Sequence, residues 1–342
     1  MRTVVIIFLC ASLLLYLLLG GADFGAGIIE MFTSAKNKSR TRRIAYRAIG
    51  PVWEANHMWL IIFIVVLFVG FPDIYTTMTT YLHIPLLLML LGVILRGTAF
   101  IFRHYDAVRD HMQVVYNKIF VYSSFITPLL LGMVAGAVIA GRINPQARGF
   151  YEAYLSPWLN WFCFSVGLFT VALCGFLAAI YLIGEASTPY DEKRFIRKAG
   201  VFNILAVLFG GVVFLTARLE GLHFWIWLFQ DPVGRYMILA ALVSLVLLWY
   251  LLGRGKRKTI LRVLACFQVT MILLAIGLHH FPDFMILQDG AHLSLLSHTA
   301  PEATMKAMGW ALLGGSLLIL PFLGYLFYSF QRPSEEEINH GS

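Results

Sequence analysis

Apolar runs of about 20 residues recur from one end of this chain to the other, the length that carries an α-helix across a hydrocarbon core of about 30 Å. A lipid interior admits only helices and closed barrels, because every backbone N–H and C=O must find its partner within the protein. Runs of this length favour the helix. The sequence divides into about nine such spans, near Thr3 to Met31, Pro51 to Phe71, Thr77 to Phe102, Tyr116 to Ala140, Leu159 to Gly184, Ala199 to Leu219, Val233 to Leu252, Ile260 to Phe281 and Met305 to Phe330.

Little chain is left for a soluble domain. With 59% hydrophobic and 13% charged residues among 342, the composition lies far from that of soluble proteins, in which about a quarter of residues are charged. The expected architecture is all-α, one polytopic transmembrane domain over residues 1–342 with a short polar C-terminal tail at 331–342. The first run, Val4 to Leu19, continues through Gly20 to Met31 with no small-residue cleavage site in polar sequence, and reads as a retained helix rather than a signal peptide. Cys10, Cys163, Cys174 and Cys266 all lie in apolar runs, where cysteine acts as a small hydrophobe, and their spacing matches no metal-ligand pattern.

The net charge of +8 describes topology and not nucleic-acid binding. Basic residues crowd alternate loops, from Lys36 to Arg47, Arg103 to Lys118, Lys193 to Lys198 and Arg254 to Arg262, with Arg332 in the tail. The other side holds Arg2, Arg142, Arg148, Arg218, Arg235 and Lys306. Because lysine and arginine concentrate on the cytoplasmic side, the N-terminus is expected outside and the C-terminus in the cytoplasm. On the outer side, His223 to Phe229 reads as an aromatic anchor, and Asp231-Pro232 as the N-cap and first-turn proline of the seventh span. The segments Pro282 to Thr304 and Arg103 to Asn117 read as the longest irregular connections.

Ionisable groups inside spans are costly and must face protein or water. The stretch Gly50-Pro51-Val52-Trp53-Glu54-Ala55-Asn56-His57-Met58-Trp59-Leu60 carries a carboxylate, an amide and an imidazole into the second span. Glu54 and His57 are three apart and share a helix face, with His57 about 4.5 Å deeper. In the first span, Gly20-Gly21-Ala22-Asp23-Phe24-Gly25-Ala26-Gly27 sets Asp23 in a small-residue groove that admits a neighbouring helix. At about 1.5 Å per residue, Asp23 lies about 30 Å from the outer end at Thr3 and Arg96 about 28 Å from Thr77. Asp23, Glu54 and Arg96 are therefore expected at one depth, near the cytoplasmic boundary. That set suits proton uptake through carboxylates, imidazole and trapped water, and it equally suits a structural charge cluster at a helix boundary. Arg96, Asn56 and Trp53 are candidates for tuning or bracing the group. Glu30 reads as a solvated boundary residue, and His83 as a lone imidazole satisfied by a neighbouring helix.

Haem ligands are in short supply. His57 and His83 lie at opposite membrane levels, and the remaining histidines fall in loops, tails or helix ends. There is no Walker-type phosphate loop and no metal-binding cysteine pair, so ATPase and metalloenzyme chemistry find no support. A secondary transporter would hold its ion near the midplane on interrupted helices, whereas these charges gather near the inner boundary.

The chain resembles subunit II of the cytochrome bd-type ubiquinol oxidases over essentially its full length. The likeness is carried by Gly21 to Gly27, by Gly50 to Leu60 in the family's Gly/Ala-Pro-x-Trp-Asp/Glu-x-Asn-x-x-Trp-Leu form, and by Leu95-Arg96 with Phe102-Arg103. Weaker similarity follows at Phe281-Pro282 and from Ser294-Leu295-Leu296 to Met308. The resemblance implies a nine-helix chain of the bacterial cytoplasmic membrane, paired as a heterodimer with a larger subunit I and leaving room for a small accessory single-helix subunit. It implies a complex that oxidises quinol, reduces dioxygen to water and draws protons from the cytoplasm. Haems b and d are then expected on subunit I and none on this chain, whose counterparts in some members of the family hold a quinone or a lipid in a groove that no residue of this sequence places. Asp23 and Glu54 match acidic positions of the family; the latter is aspartate in many relatives, and glutamate reaches one methylene further. The proton-pathway candidates on this reading are Asp23, Glu54 and His57, with no catalytic residue on the chain.

Overall fold

The computed structural model describes residues 1–105, 112–222, 229, 232–254 and 258–331. The aromatic anchor before Phe229, the Asp231 cap, the basic residues Arg109, Lys256 and Arg257, and the tail beyond Gln331 lie outside the described residues. Among those described, nine helices are long and apolar enough to cross a membrane, in agreement with the apolar pattern of the sequence.

The first span is composite: α1 (Arg2–Leu15) passes through a π-helical turn at Tyr16–Gly20 into α2 (Gly21–Met31). The basic segment that follows is itself helical, α3 (Ala35–Ile49), and leads to α4 (Trp53–Gly70). The expected third span splits into α5 (Pro72–Tyr81) and α6 (His83–Tyr105). Pro85 has no N–H to return to the carbonyl of Tyr81, so one continuous helix through Leu82 is disfavoured, while a proline in the first turn of α6 is tolerated. The start expected at Thr77 therefore falls inside α5. Next come α7 (Met112–Ile139), the short α8 (Phe150–Tyr154), α9 (Trp161–Glu185) and α10 (Pro189–Leu219). α10 begins well before the expected Ala199, because its polar first turns are capped by Thr188, whose Oγ1 accepts from the Asp191 N–H at 3.3 Å, with Pro189 at the first helical position. α11 (Pro232–Arg254) and α12 (Lys258–His280) precede a small antiparallel hairpin, β1 (Asp283–Ile286) and β2 (His292–Ser294), and α13 (Glu302–Gln331) closes the chain. The connection from Pro282 to Thr304, expected to be irregular, thus contains a hairpin, and Leu287, just after β1, bridges to Ile143 after α7.

α9 is the axis of the bundle, packed by α2, α7, α10 and α12. Small residues let these helices approach it closely, as expected where lipid tails remove the hydrophobic drive for association. A Cβ on Gly167 would lie 2.6 Å from the carbonyl oxygen of Leu129 in α7, and one on Gly25 would run into the backbone of Cys174. Apolar residues face both lipid and interior, so it is the small and polar side chains that sort inward. Leu317 and Val246 are exposed, whereas Asp23, Glu30, Arg96 and Asp191 are buried.

Ion pairs fasten the end of the bundle that carries α3. Arg40 of α3 donates to Asp191 at 2.6 Å, Arg194 reaches the same carboxylate at 3.0 Å, and Arg262 of α12 pairs with Glu185 of α9 at 2.9 Å. Lys198 caps the end of the first span by donating to the carbonyls of Ile29 and Phe32, at 3.2 and 2.9 Å. At the opposite end, Arg142 pairs with Glu220 at 3.0 Å.

Candidate functional site

α2, α4 and α6 converge on Asp23, whose side chain is fully buried. Its Oδ1 accepts from Nη2 of Arg96 at 2.6 Å, and the same Nη2 donates to the Asp23 backbone carbonyl at 3.0 Å. Nε of Arg96 donates to Oγ of Ser124 in α7 at 3.2 Å. The guanidinium lies between the rings of Phe24 and Phe120, 5.0 and 5.1 Å from their centroids, a geometry that favours a cation in a dry setting. Nε2 of His57 stands 3.5 Å from Oδ2 of Asp23 and 3.5 Å from Nη1 of Arg96. His57 is the bridge to the surface, with 16% of its side chain exposed. Trp53 braces it, with ring centroids 6.5 Å apart, and also packs on Phe100 at 5.2 Å.

Of the residues singled out from sequence, Asp23, His57 and Arg96 meet. Glu54 does not join them: it is exposed in the first turn of α4, and no hydrogen bond or ion pair links it to another described residue. Asn56 is buried on the inward face of α4. His83 lies far from the cluster; its Nδ1 is 2.8 Å from the Thr80 carbonyl and its ring meets Tyr154 edge-on.

Glu30 departs most from expectation. Instead of being solvated, it is buried and doubly paired: Oε1 accepts from Nε and Nη2 of Arg42 at 3.0 and 2.8 Å, and Oε2 lies 2.9 Å from Nη2 of Arg103. Arg103 also lies over the Phe120 ring, 4.4 Å from its centroid. Asp23–Arg96 and Glu30–Arg103 thus form two rungs between α2 and α6. The sequence carried the signal in the equal two-turn spacing of the two acids and of the two arginines. Among the described residues, no three His, Cys, Asp or Glu side chains are grouped to hold a metal ion.

The profile of one family, described as cytochrome bd terminal oxidase subunit II, matches residues 1–330. This chain belongs to that family. As a member of the cytochrome bd subunit II family, it is 30% identical to cytochrome bd ubiquinol oxidase subunit 2 of Bacillus subtilis over 161 residues, a match covering 46% of each chain. It is 23% identical to cytochrome bd-I ubiquinol oxidase subunit 2 of Escherichia coli K12 over 355 aligned positions, covering 94% of this chain and 92% of that one. The bd oxidase of Geobacillus thermodenitrificans contains a chain of the same fold, with a TM-score of 0.78 and 22% identity over 96% of this subunit II and 99% of that chain. The Gly50 to Leu60 stretch leads into the first turns of α4, which deliver His57 to Asp23 and leave Glu54 exposed.

Proposed function

We propose that this chain is the haem-free subunit II of a quinol:oxygen oxidoreductase in the bacterial cytoplasmic membrane, where it stabilises a haem-bearing subunit I and passes protons inward from the cytoplasm through Glu54, His57 and Asp23. The observation that carries the reading is the buried contact of His57 with Asp23 and Arg96, reached from an exposed carboxylate one helical turn away. A carboxylate on a spanning helix faces protein or water rather than lipid, so the open face of α4 around Glu54 suits contact with subunit I. The orientation, N-terminus outside and C-terminus cytoplasmic, is supported by the gathering of Arg40, Arg42, Arg194 and Arg262 at one end of the bundle.

Histidine geometry supports placing haems b and d on the partner. His57 is enclosed by Tyr16, Phe24 and Trp53, and its Nε2 faces Asp23 and Arg96, which leaves that ring no open side for a haem. An apolar groove of about 500 Å³ between α6 and α7, lined by Leu91, Leu95, Ile119 and Tyr122 with Lys118 at its edge, suits a lipid or quinone tail. The complex would oxidise quinol and reduce dioxygen, and a small accessory single-helix subunit would complete it.

Glu54→Gln tests the route. Turnover of the assembled oxidase is expected to fall by about a hundredfold, the lower end of what a positioned proton-transfer group contributes, with assembly retained. Wild-type turnover in a stably assembled Glu54→Gln complex removes Glu54 from the route. A second reading is favoured by the 2.6 Å pairing of Asp23 with Arg96, which suits a clamp between α2 and α6 as well as a relay. On that reading Asp23→Asn impairs assembly and leaves turnover per assembled complex unchanged.

A further inference from the structure

Tyr16 opens the π-helical turn of the first span and is 1% exposed, yet its hydroxyl has no hydrogen-bond partner in the described protein. π-helical turns interrupt the regular ladder and recur at functional positions. This one lies about 10 Å outward from Asp23, seven residues along the helix. Gly20 makes the ring's position possible, since a Cβ there would lie 2.9 Å from Cε2 of Tyr16.

The Tyr16 ring faces the outer side of the site. Its centroid is 6.1 Å from that of His57, and both rings pack on Phe24, at 6.4 and 5.6 Å. Nδ1 of His57 is also buried without a partner, and Oδ2 of Asp23 makes no hydrogen bond although Nε2 of His57 stands 3.5 Å away. Three buried polar atoms without a hydrogen bond therefore belong to side chains that pack on or stand beside His57. Buried polar groups are almost always satisfied, and where the protein does not supply a partner a bound water does, provided it meets two or more polar groups. Tyr16 is enclosed by this chain alone, which removes both lipid and a partner subunit as the source of its missing hydrogen bond.

We propose that Tyr16 and His57 hold an internal water between the tyrosine hydroxyl and Nδ1, and that this site extends the proton track beyond His57 toward the middle of the membrane. Its part in proton movement rests on the route proposed above; the hydration site does not. A proton arriving at Nε2 leaves His57 doubly protonated, Nδ1–H then donates to the water and the water donates to the Tyr16 oxygen, so that the water shares the charge until the proton returns through Nε2 toward Asp23. Tyr16 is a positioning residue here: it orients the water and gives up no proton of its own in net terms. Asp23 and Arg96 are the charged groups that face the imidazole from α2 and α6, and they hold Nε2 while Nδ1 exchanges.

The test is a map of the assembled oxidase at a resolution that shows ordered water, for the wild type and for Tyr16→Phe, together with turnover in H2O and D2O. A peak within hydrogen-bonding distance of both the Tyr16 hydroxyl and Nδ1 of His57, lost in Tyr16→Phe, is expected. Turnover of Tyr16→Phe is expected to fall about tenfold, less than for a group that itself transfers the proton, with a larger solvent isotope effect and unchanged assembly. A wild-type map with no such peak overturns the water site, and that result does not depend on how the variant folds. Glu54→Gln measured alongside separates the two failures. Normal turnover there overturns the route as a whole, whereas slowed Glu54→Gln beside normal Tyr16→Phe, with an unchanged isotope effect, overturns the place of Tyr16 in it.

Discussion

Arg96→Leu is expected to remove most of the assembled complex from the membrane, and adding Asp23→Asn to the same chain is expected to restore much of it. Arg96 is 1% exposed and supplies the one cation within hydrogen-bonding distance of Asp23 among the described residues. Taking away one partner of a buried ion pair costs about 3–5 kcal/mol, because the other charge stays in a medium that cannot solvate it. Neutralising both partners removes the stranded charge, and neutral replacements of buried pairs are often tolerated. Complex yield and thermal unfolding of the extracted oxidase, measured for the wild type, both single variants and the double, give the coupling. A value of about 3 kcal/mol, the upper range for residues in direct contact, is expected. A double variant as poor as Arg96→Leu alone would mean that the guanidinium acts through Ser124, Phe24 and Phe120 instead. If Asp23 belongs to the proton route, the rescued double variant assembles and still turns over slowly.

The spans were legible because bilayer thickness writes a length into the sequence, and Asp23, His57 and Arg96 stood out because charge inside a span is rare enough to be read residue by residue. The division of labour between Glu54 and His57 was not legible. Residues three apart differ by about 60° around the helix, close enough to share a face and far enough for one to point inward and the other out. Only the packing of α4 against α1 decides which does so. Glu30 was misread for a related reason: hydropathy places it at a boundary, but the partner that buries it, Arg42, comes from α3, an amphipathic helix inside what the apolar pattern leaves as a loop. Arg103, two turns beyond Arg96, gave the remaining half of that signal. The orphaned hydroxyl of Tyr16 had no sequence signature, since a tyrosine in an apolar span is ordinarily read as bulk.

The two rungs give α2 and α6 different tasks along their length. At Glu30 every carboxylate oxygen lies against an arginine, so that rung holds α3 and α6 to the end of the first span. At Asp23 one oxygen is held by Arg96 and the other is left to His57 at 3.5 Å. On the route proposed above, the carboxylate beside the imidazole is the one suited to exchange a proton, and the doubly ion-paired Glu30 fixes the geometry around it.

Gly25→Leu is expected to prevent assembly altogether, and Gly25→Ala to lower it sharply, because α2 crosses α9 with no space for a side chain. A Cβ on Gly25 would run into the backbone of Cys174 and stand 2.6 Å from Cβ of Ala178. Overpacking a core typically costs about 1–3 kcal/mol when side chains can shift aside. Here the obstacle is backbone in the most buried helix of the bundle, so the helices themselves must part. Gly211→Ala in α10 is the control: nothing lies within 4 Å of its Cβ position, and exchanging glycine for alanine inside a helix gains up to about 1 kcal/mol. Complex yield and thermal unfolding should therefore move in opposite directions for two identical substitutions. Asp23 lies two residues from Gly25, so the fraction of Gly25→Ala that does assemble should also carry a displaced carboxylate and turn over more slowly than its quantity predicts. Normal yield with normal turnover would show that α2 and α9 are not held by this contact, and that the depth of Asp23 is set by Arg96 alone.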